Sequence, residues 1–398
     1  MNEWKDVSIG DLCETVSNTY KRKDQEVVLV NTSDVLEGKI LNHQPVPNEN
    51  LKGQFKKTFQ KDDILYSEIR PANKRYAFVD FESTDHYIAS TKLMVLRPKT
   101  ENVIPRYLYA VLTSKKVLDE MQHLAETRSG TFPQITFSSE LAPYHVKLPD
   151  FEAQKKIVSL LDSIEHKIET NIAINDNLEQ QAVALFKSWF VDFSLFVGTV
   201  PENWEDTTLE NITTLITRGI APKYSDNSDQ TVVNQKCIRN HTIDLSLART
   251  HTPKAINEKW LKFGDLLINS TGDGTLGRVA QVWFAPKALT VDSHVTIVRP
   301  AREELIFYIG LWGILHEKEI ESLHTGSTGQ TELPRDRVKM LKLLLPDNIS
   351  LSRFNSIIAP MASTIILNQE ENQKLASLRD TLLPKLMSGE IDVSSIQL

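Results

Sequence analysis

The stretch IVSLLDSIEHKIETNIAINDNLEQQAVALFKSW, residues 157–189, decides how this chain is built. Within it Ile157, Leu161, Ile164, Ile168, Asn171, Asn175, Leu178, Ala182, Leu185 and Trp189 follow at alternating steps of four and three. That spacing lays side chains along one seam of a coiled-coil helix. The same register returns near the C-terminus with Phe354, Ile358, Met361, Ile365, Asn368, Asn372, Leu375, Arg379, Leu382 and Leu386, where Arg379 alone is charged. Asp150 and Glu152 suit the start of the first helix, because carboxylates favour the N-terminal end of the helix dipole. Pro360 is expected to kink the second helix and Pro384 to end or bend it.

Outward from the seams, the chain repeats itself. Trp4, Ile9 and Leu12 return as Trp204, Leu209 and Ile212, shifted by 200. Asp63-Ile64-Leu65 returns as Asp265-Leu266-Leu267 and Arg97-Pro98 as Arg299-Pro300, both shifted by 202. Pro149 returns as Pro346, and Asn171, Asn175, Leu178 and Leu185 as Asn368, Asn372, Leu375 and Leu382, at 197. A collinear series of this kind marks an internal repeat. Each half opens with a mixed region, 1–149 and 201–346, and closes with a helical one, 150–200 and 347–398. The mixed regions combine short β-rich runs such as Val27–Val30 and Val295–Val298 with helical patches such as Tyr107–Met121.

Connectivity then sets direction. A first helix that delivers the chain to the second mixed region, and a second that packs back along it, are antiparallel. Asn171, Asn175, Asn368 and Asn372 sit at the seam midpoints, so this packing brings them together. Buried Asn costs stability but pins register, because a slip strands its amide among apolar groups. At 1.5 Å per residue the seam runs roughly 50 Å. The expected architecture is α+β: two similar mixed α/β domains separated by two long antiparallel coiled-coil helices, with pseudo-twofold internal repeat.

Composition limits what such a molecule does. Of 398 residues, 40% are apolar and 24% charged, so wholesale disorder is excluded. Net charge is −7, so any nucleic-acid contact must be local. Two cysteines, Cys13 and Cys237, build neither a disulfide framework nor a zinc cluster and fit a reducing, cytoplasmic setting. Neither a signal peptide nor a membrane span is visible. Positive charge concentrates inside the mixed regions: residues 51–100 hold ten Lys/Arg against six Asp/Glu, and 251–300 six against four. Residues 151–200 hold four against seven. Two displaced basic modules suit duplex DNA, whose half-sites lie about 34–36 Å or more apart.

Candidate contacts are segments that mix cations with amides and planar groups, since Arg suits guanine, Asn and Gln suit adenine, and Lys suits phosphate. In the first domain these are Tyr20, Lys21, Arg22 and Lys23, then Arg70, Asn73, Lys74 and Arg75. In the second they are Arg218, Lys223, Asn234, Gln235, Lys236, Arg239, Asn240, Asn269, Ser270, Thr271 and Arg278. Off the seam, Leu160, Ile172, Val183, Phe186 and Phe190 either pack on the chain's own domains or form a partner-docking face.

The pattern resembles the specificity subunit of Type I restriction–modification enzymes over essentially the whole chain. The residues that carry the likeness are Trp4–Leu12, Asp63–Ser67, Gln154–Val158 and Leu160–Asp162, followed by Trp204–Ile212, Gly264–Leu267, Gly272–Ala280 and Leu378–Ile391. The last segment is the most telling. The resemblance implies two target-recognition domains, each reading one half of a split DNA target. It also implies helical regions that space them and dock two adenine-methyltransferase subunits, with motor–nuclease subunits joining. This chain then needs no cofactor or metal, while its partners use S-adenosylmethionine, ATP and Mg. Arg379 on the seam, and Arg70-Pro71-Ala72-Asn73 where the second domain has a Gly-rich loop, depart from the pattern and leave base contacts in the first domain open.

Other motifs are weaker. Gly272-x-Gly274-x-x-Gly277 spells a dinucleotide fingerprint, but Arg278–Phe284 reads as strand rather than helix, which favours a hairpin. Pro149-Asp150 with Glu165-His166-Lys167 mimics a nuclease pattern, yet Glu165 and Lys167 on a helix face different ways. Cys237 with His241 lacks further zinc ligands. Gly326–Thr331 lacks the Lys of a phosphate loop. The alternatives are a protein-binding coiled-coil scaffold and a self-sufficient nuclease or methyltransferase.

Overall fold

The computed structural model describes residues 4–49, 51, 53–128, 131–326 and 331–393. The chain divides into two compact units, Met1–Ile168 with Gln373–Leu398, and Glu169–Asn372. The division cuts through both long helices, so each unit owns part of each helix as well as one mixed domain.

In the first unit Lys5–Ser8 pairs antiparallel with His145–Leu148, closing the ends of the domain on each other. One sheet runs in the order Cys13–Val16, Leu93–Pro98, Ile64–Ser67, Tyr76–Phe78. A second runs Pro45–Pro47, Glu26–Val30, Tyr87–Ser90, Phe55–Lys57, with its two central strands parallel. The near-continuous apolar character of Ile64–Ser67 and Leu93–Pro98 follows from burial on both faces. Helices Pro105–Leu112 and Lys115–Arg128 replace the single expected patch, and Thr113-Ser114 forms the break between them.

The second unit repeats the plan. Glu205–Thr208 pairs with Lys342–Leu345. The first sheet runs Thr213–Arg218, Val295–Pro300, Leu266–Asn269, Val279–Gln281. The second runs Arg249–Thr250, Thr231–Val233, Leu289–Val291, again with one parallel pair. Identity extends to one buried ion pair. Arg97 Nε and Nη2 donate to the Asp63 carboxylate at 2.8 and 2.7 Å, and Arg299 makes the same two bonds to Asp265 at 2.8 and 2.7 Å. Each carboxylate also accepts the backbone N–H three residues before it, from Gln60 or Lys262.

The long helices are Phe151–Phe190 and Asn348–Ser388. Asp150 Oδ1 accepts from the Ala153 N–H, and Asp347 accepts from Ile349 and Ser350, so both start on carboxylate caps. Burial works against the Asp347 charge, but bonds from Ser350, Trp204 and Ile349 outweigh it and hold that carboxyl at about 2. The second helix continues past both Pro360 and Pro384, so neither proline ends it. A proline removes one backbone donor, and packing along a whole face tolerates that loss. Within the second unit the seam is antiparallel in one constant register. Asn171 meets Asn372, Asn175 meets Asn368, and the Trp189 ring lies 5.6 Å from Phe354.

The seam ends merge into the domain cores. Ile157 and Leu161 share a cluster with Leu382 and Leu386, while Ala182, Phe186, Phe354 and Ile358 join the core of the second domain. This overturns part of the docking expectation. Phe186 and Phe190 are 1% and 6% exposed, packed on Tyr308 and Phe354. Leu160 and Val183 are half-buried against the first and second cores. Of the five, only Ile172, at 47%, stays open. Aromatic side chains of this size are more strongly stabilised by burial than by display.

Candidate nucleic-acid interface

In the second domain the candidates separate into scaffold and surface. Asn234 starts a short turn, Gln235–Cys237; its Oδ1 accepts from the Lys236 N–H at 2.9 Å, and its Nδ2 donates to the Leu247 carbonyl at 3.0 Å. One amide thus ties two surface turns together. Asn269 is fully buried and donates to the Gln235 carbonyl at 3.0 Å. Ser270 is also fully buried and shares a 2.6 Å bond with Thr296. Arg218 donates to the Leu333 carbonyl and pairs with Glu332. Asn269 and Ser270 are therefore corrected from base contacts to internal supports, because full burial keeps them from a ligand's reach, while Arg218 stays partly exposed. Thr271 bonds His294 at 2.7 Å and Gln235 at 3.3 Å, and Arg278 donates to the Gly274 carbonyl at 2.7 Å.

Gly272, Gly274 and Gly277 all have positive φ, and the strand Val279–Gln281 follows at once. The Gly-rich segment is a hairpin turn, with no helix to hold a pyrophosphate. A Cβ on Gly277 would lie 2.7 Å from Glu321, so the turn is built around that close approach. Ser327–Gln330 of the discounted phosphate-loop stretch lie outside the described residues. Lys223, Lys236, Arg239 and Asn240 remain exposed. Tyr224 and Arg249, absent from the sequence candidates, join them: the Arg249 guanidinium carbon sits 3.7 Å from the Tyr224 ring centroid. They lie far apart in sequence and belong to no motif, so only strand pairing brings them together.

Asn240 and His241 form the left-handed turn between Ile238–Arg239 and Thr242–Ile243. His241 Nδ1 lies 2.5 Å from Glu179 of the first long helix, and Nε2 lies 3.6 Å from Glu317. The hydrogen bond to Glu179, then the ion pair with Glu317, push the imidazole up to about 9 despite its burial. His241 is thus a cation between two carboxylates, and its place in the discounted zinc idea is taken. Cys237 is buried, and burial pushes its thiol up to about 11.

In the first domain Tyr20–Lys23 lie on the loop before Glu26–Val30. Tyr20 donates to Asp24 at 2.8 Å, and Arg22 pairs with Asp24 and Asp85. Lys21 and Lys23 are exposed. Pro71–Asn73 is a short turn flanked by Arg70 and Lys74, both with positive φ. Lys74 pairs with Glu37 at 2.8 Å, while Arg75 donates to the Ser33 and Val35 carbonyls at 3.1 and 3.3 Å and serves as an internal tie. Arg70 and Asn73 face solvent. Glu165, from the nuclease-like pattern, accepts from Arg106 at 2.6 Å, and the same guanidinium donates to Asp162 at 3.0 Å.

Residues 1–180 match the family model described as the Type I restriction modification DNA specificity domain. The chain is 29% identical to the Type I restriction enzyme HindI specificity subunit of Haemophilus influenzae, over 98% of this chain and all of that protein. It is 26% identical to the MjaIX specificity subunit of Methanocaldococcus jannaschii over 74% of this chain and 71% of that protein. The crystal structure of a Type I restriction–modification S subunit from M. genitalium shares the fold, with TM-score 0.56 and 14% identity over 97% of this chain and 96% of that one. Duplicated α/β domains on paired long helices, together with the specificity-domain match, define a DNA-recognition protein. Over nearly its whole length the chain is similar to Type I restriction–modification specificity subunits, and the DNA specificity domain is matched over residues 1–180.

Proposed function

We propose that each mixed domain reads one half of a bipartite double-stranded DNA target and that the paired helices set the gap between the halves. The duplication carries this reading: one four-stranded sheet, one parallel strand pair and one buried Asp–Arg pair occur twice, joined to seams of a single register. Exposed Lys21, Lys23, Arg70, Asn73, Lys223, Lys236, Arg239 and Asn240 supply DNA contacts, with phosphate contacts making affinity fall with salt. The subunit works on DNA in a complex with other restriction–modification subunits. In the finer reading these are two adenine methyltransferases and the motor–nuclease, which bring S-adenosylmethionine, ATP and Mg, and the assembly acts in the cytoplasm. Among the described residues no helix is long and apolar enough to cross a membrane.

Footprinting of the reconstituted complex should protect two separated blocks; one contiguous block overturns the proposal. Deleting one heptad from each helix at matching positions shortens the spacer by roughly 10 Å, about 3 base pairs. The preferred gap should shrink with both half-site sequences unchanged, and an unaltered gap means the helices do not set it.

A further inference from the structure

The Arg249–Tyr224 pair has the geometry of a base reader rather than a phosphate contact. It stands on a short antiparallel ladder. Tyr224 is bridged to His251, Ser225 N–H donates to the Thr250 carbonyl at 3.2 Å, and Thr252 N–H donates to the Lys223 carbonyl at 2.8 Å. Arg249 lies two residues before His251 on the same strand face, so its side chain is the diagonal neighbour of Tyr224. The Thr250 hydroxyl donates to the Ser225 carbonyl at 2.5 Å and locks the two segments together. Thus backbone pairing, not a flexible loop, lays the guanidinium on the ring.

Both partners face outward: Arg249 is exposed and Tyr224 is 39% exposed. Arg218, Arg278 and Arg299 of the same domain spend their donors on protein carbonyls or carboxylates. Among the described residues Arg249 makes no ion pair with a carboxylate. Stacking leaves the edge of the fork, with its N–H donors, open while fixing its plane. A phosphate accepts any nearby cation, whereas a fixed planar fork matches the paired O6 and N7 acceptors of guanine in the major groove. Beside it the turn Leu245–Leu247, held by Asn234, exposes Leu245 and Leu247 at 38% and 48%. Apolar groups there suit contact with a thymine methyl.

We propose that Arg249, oriented by Tyr224, is a specificity-determining residue of the second domain and recognises a guanine in its half-site. The idea rests on the bipartite reading above, and one experiment separates the two. The subunit, assembled with its methyltransferase partners, is selected at fixed salt on duplexes with both half-sites randomised. If the wild-type complex enriches no sequence in the second half, the bipartite reading itself fails. If it enriches one, Arg249→Ala should erase a single G·C preference, about tenfold to a hundredfold, with the remaining positions kept. Arg249→Lys should lose the same preference while keeping most of the overall affinity, and Tyr224→Leu should weaken it partly. Uniform weakening over all sequences, an unchanged motif, or full specificity with Arg249→Lys overturns the assignment. An unchanged melting temperature in Arg249→Lys separates loss of reading from loss of fold.

Discussion

The two mixed domains fasten to the long helices by different chemistry. In the first, Arg106 clamps Asp162 and Glu165 of the first long helix and lies 5.0 and 5.1 Å from the Phe78 and Tyr109 ring centroids. In the second, the helix Ile306–Leu315 stands where the first has Pro105–Leu112, and its second residue is Phe307 in place of Arg106, an apolar side chain packed on the core. The fastening has moved to a hairpin tip, where His241 lies between Glu179 and Glu317. Both units keep the four-stranded first sheet and the buried Asp–Arg pair, because these organise each core. They do not keep the outer clamp, since any cation in reach of the helix carboxylates serves. A guanidinium stays charged at every physiological pH, while an imidazole does not.

The largest expected effect tests how deep the preserved part goes. Asp265→Ala strands Arg299, which is 12% exposed and also donates to the Glu258 and Trp260 carbonyls. Removing one partner of such a buried pair costs about 3–5 kcal/mol. Asp63→Ala strands Arg97, which is 28% exposed and has more access to water, so about 2–3 kcal/mol is expected. Chemical denaturation of each full-length variant measures both. Equal losses would mean that local solvent access does not distinguish the two copies.

That pair was half legible in the sequence. Asp63, Arg97 and their repeats stand at one constant offset, which marks equivalence but not bonding. The seams were legible because a heptad is a direct statement of which face is buried. The candidate interface was less so. Asn269 and Ser270 look like donors on a polar loop, yet strand pairing turns them inward, and alternation within one four-residue strand is too short to show it. Phe186 and Phe190 lie off the seam, and nothing local tells whether they cover a partner or their own core. Arg249 and Tyr224 meet through a ladder that no periodicity announces.

A smaller effect separates the two clamps by pH. The free imidazole titrates at about 6.5, and the folded protein holds His241 up at about 9. Its contribution is therefore complete below about pH 6.5 and is lost as pH rises through 9, up to about 2–3 kcal/mol in all. Burial raises Glu317, but His241, the Val279 N–H and the nearby Arg278 charge together hold it below its ordinary value, so acid that protonates it removes the pair from the other side. Protection of the Ile238–Ile243 hairpin against hydrogen exchange should fall between pH 7 and 9 in the wild type. His241→Ala should abolish that slope, and Arg106→Ala should leave it intact.

The smallest effect concerns the seam, which also differs between the units. The part with Ile157, Leu161, Leu382 and Leu386 is apolar, whereas the second unit holds the amides. Asn171 is fully buried and donates to Asn372 at 2.9 Å and Glu371 at 2.7 Å, but its Oδ1 has no partner. An unsatisfied buried acceptor costs about 1–3 kcal/mol, and a pair of leucines has no such cost. Asn171→Leu with Asn372→Leu should therefore raise stability by about 1 kcal/mol. Since any apolar neighbour then serves as well, the register loosens, and the selected DNA should tolerate a wider range of gaps. Higher stability with an unchanged single gap would assign register to Asn175 and Asn368, whose 2.8 Å bond remains, or to the Trp189–Phe354 contact beyond them.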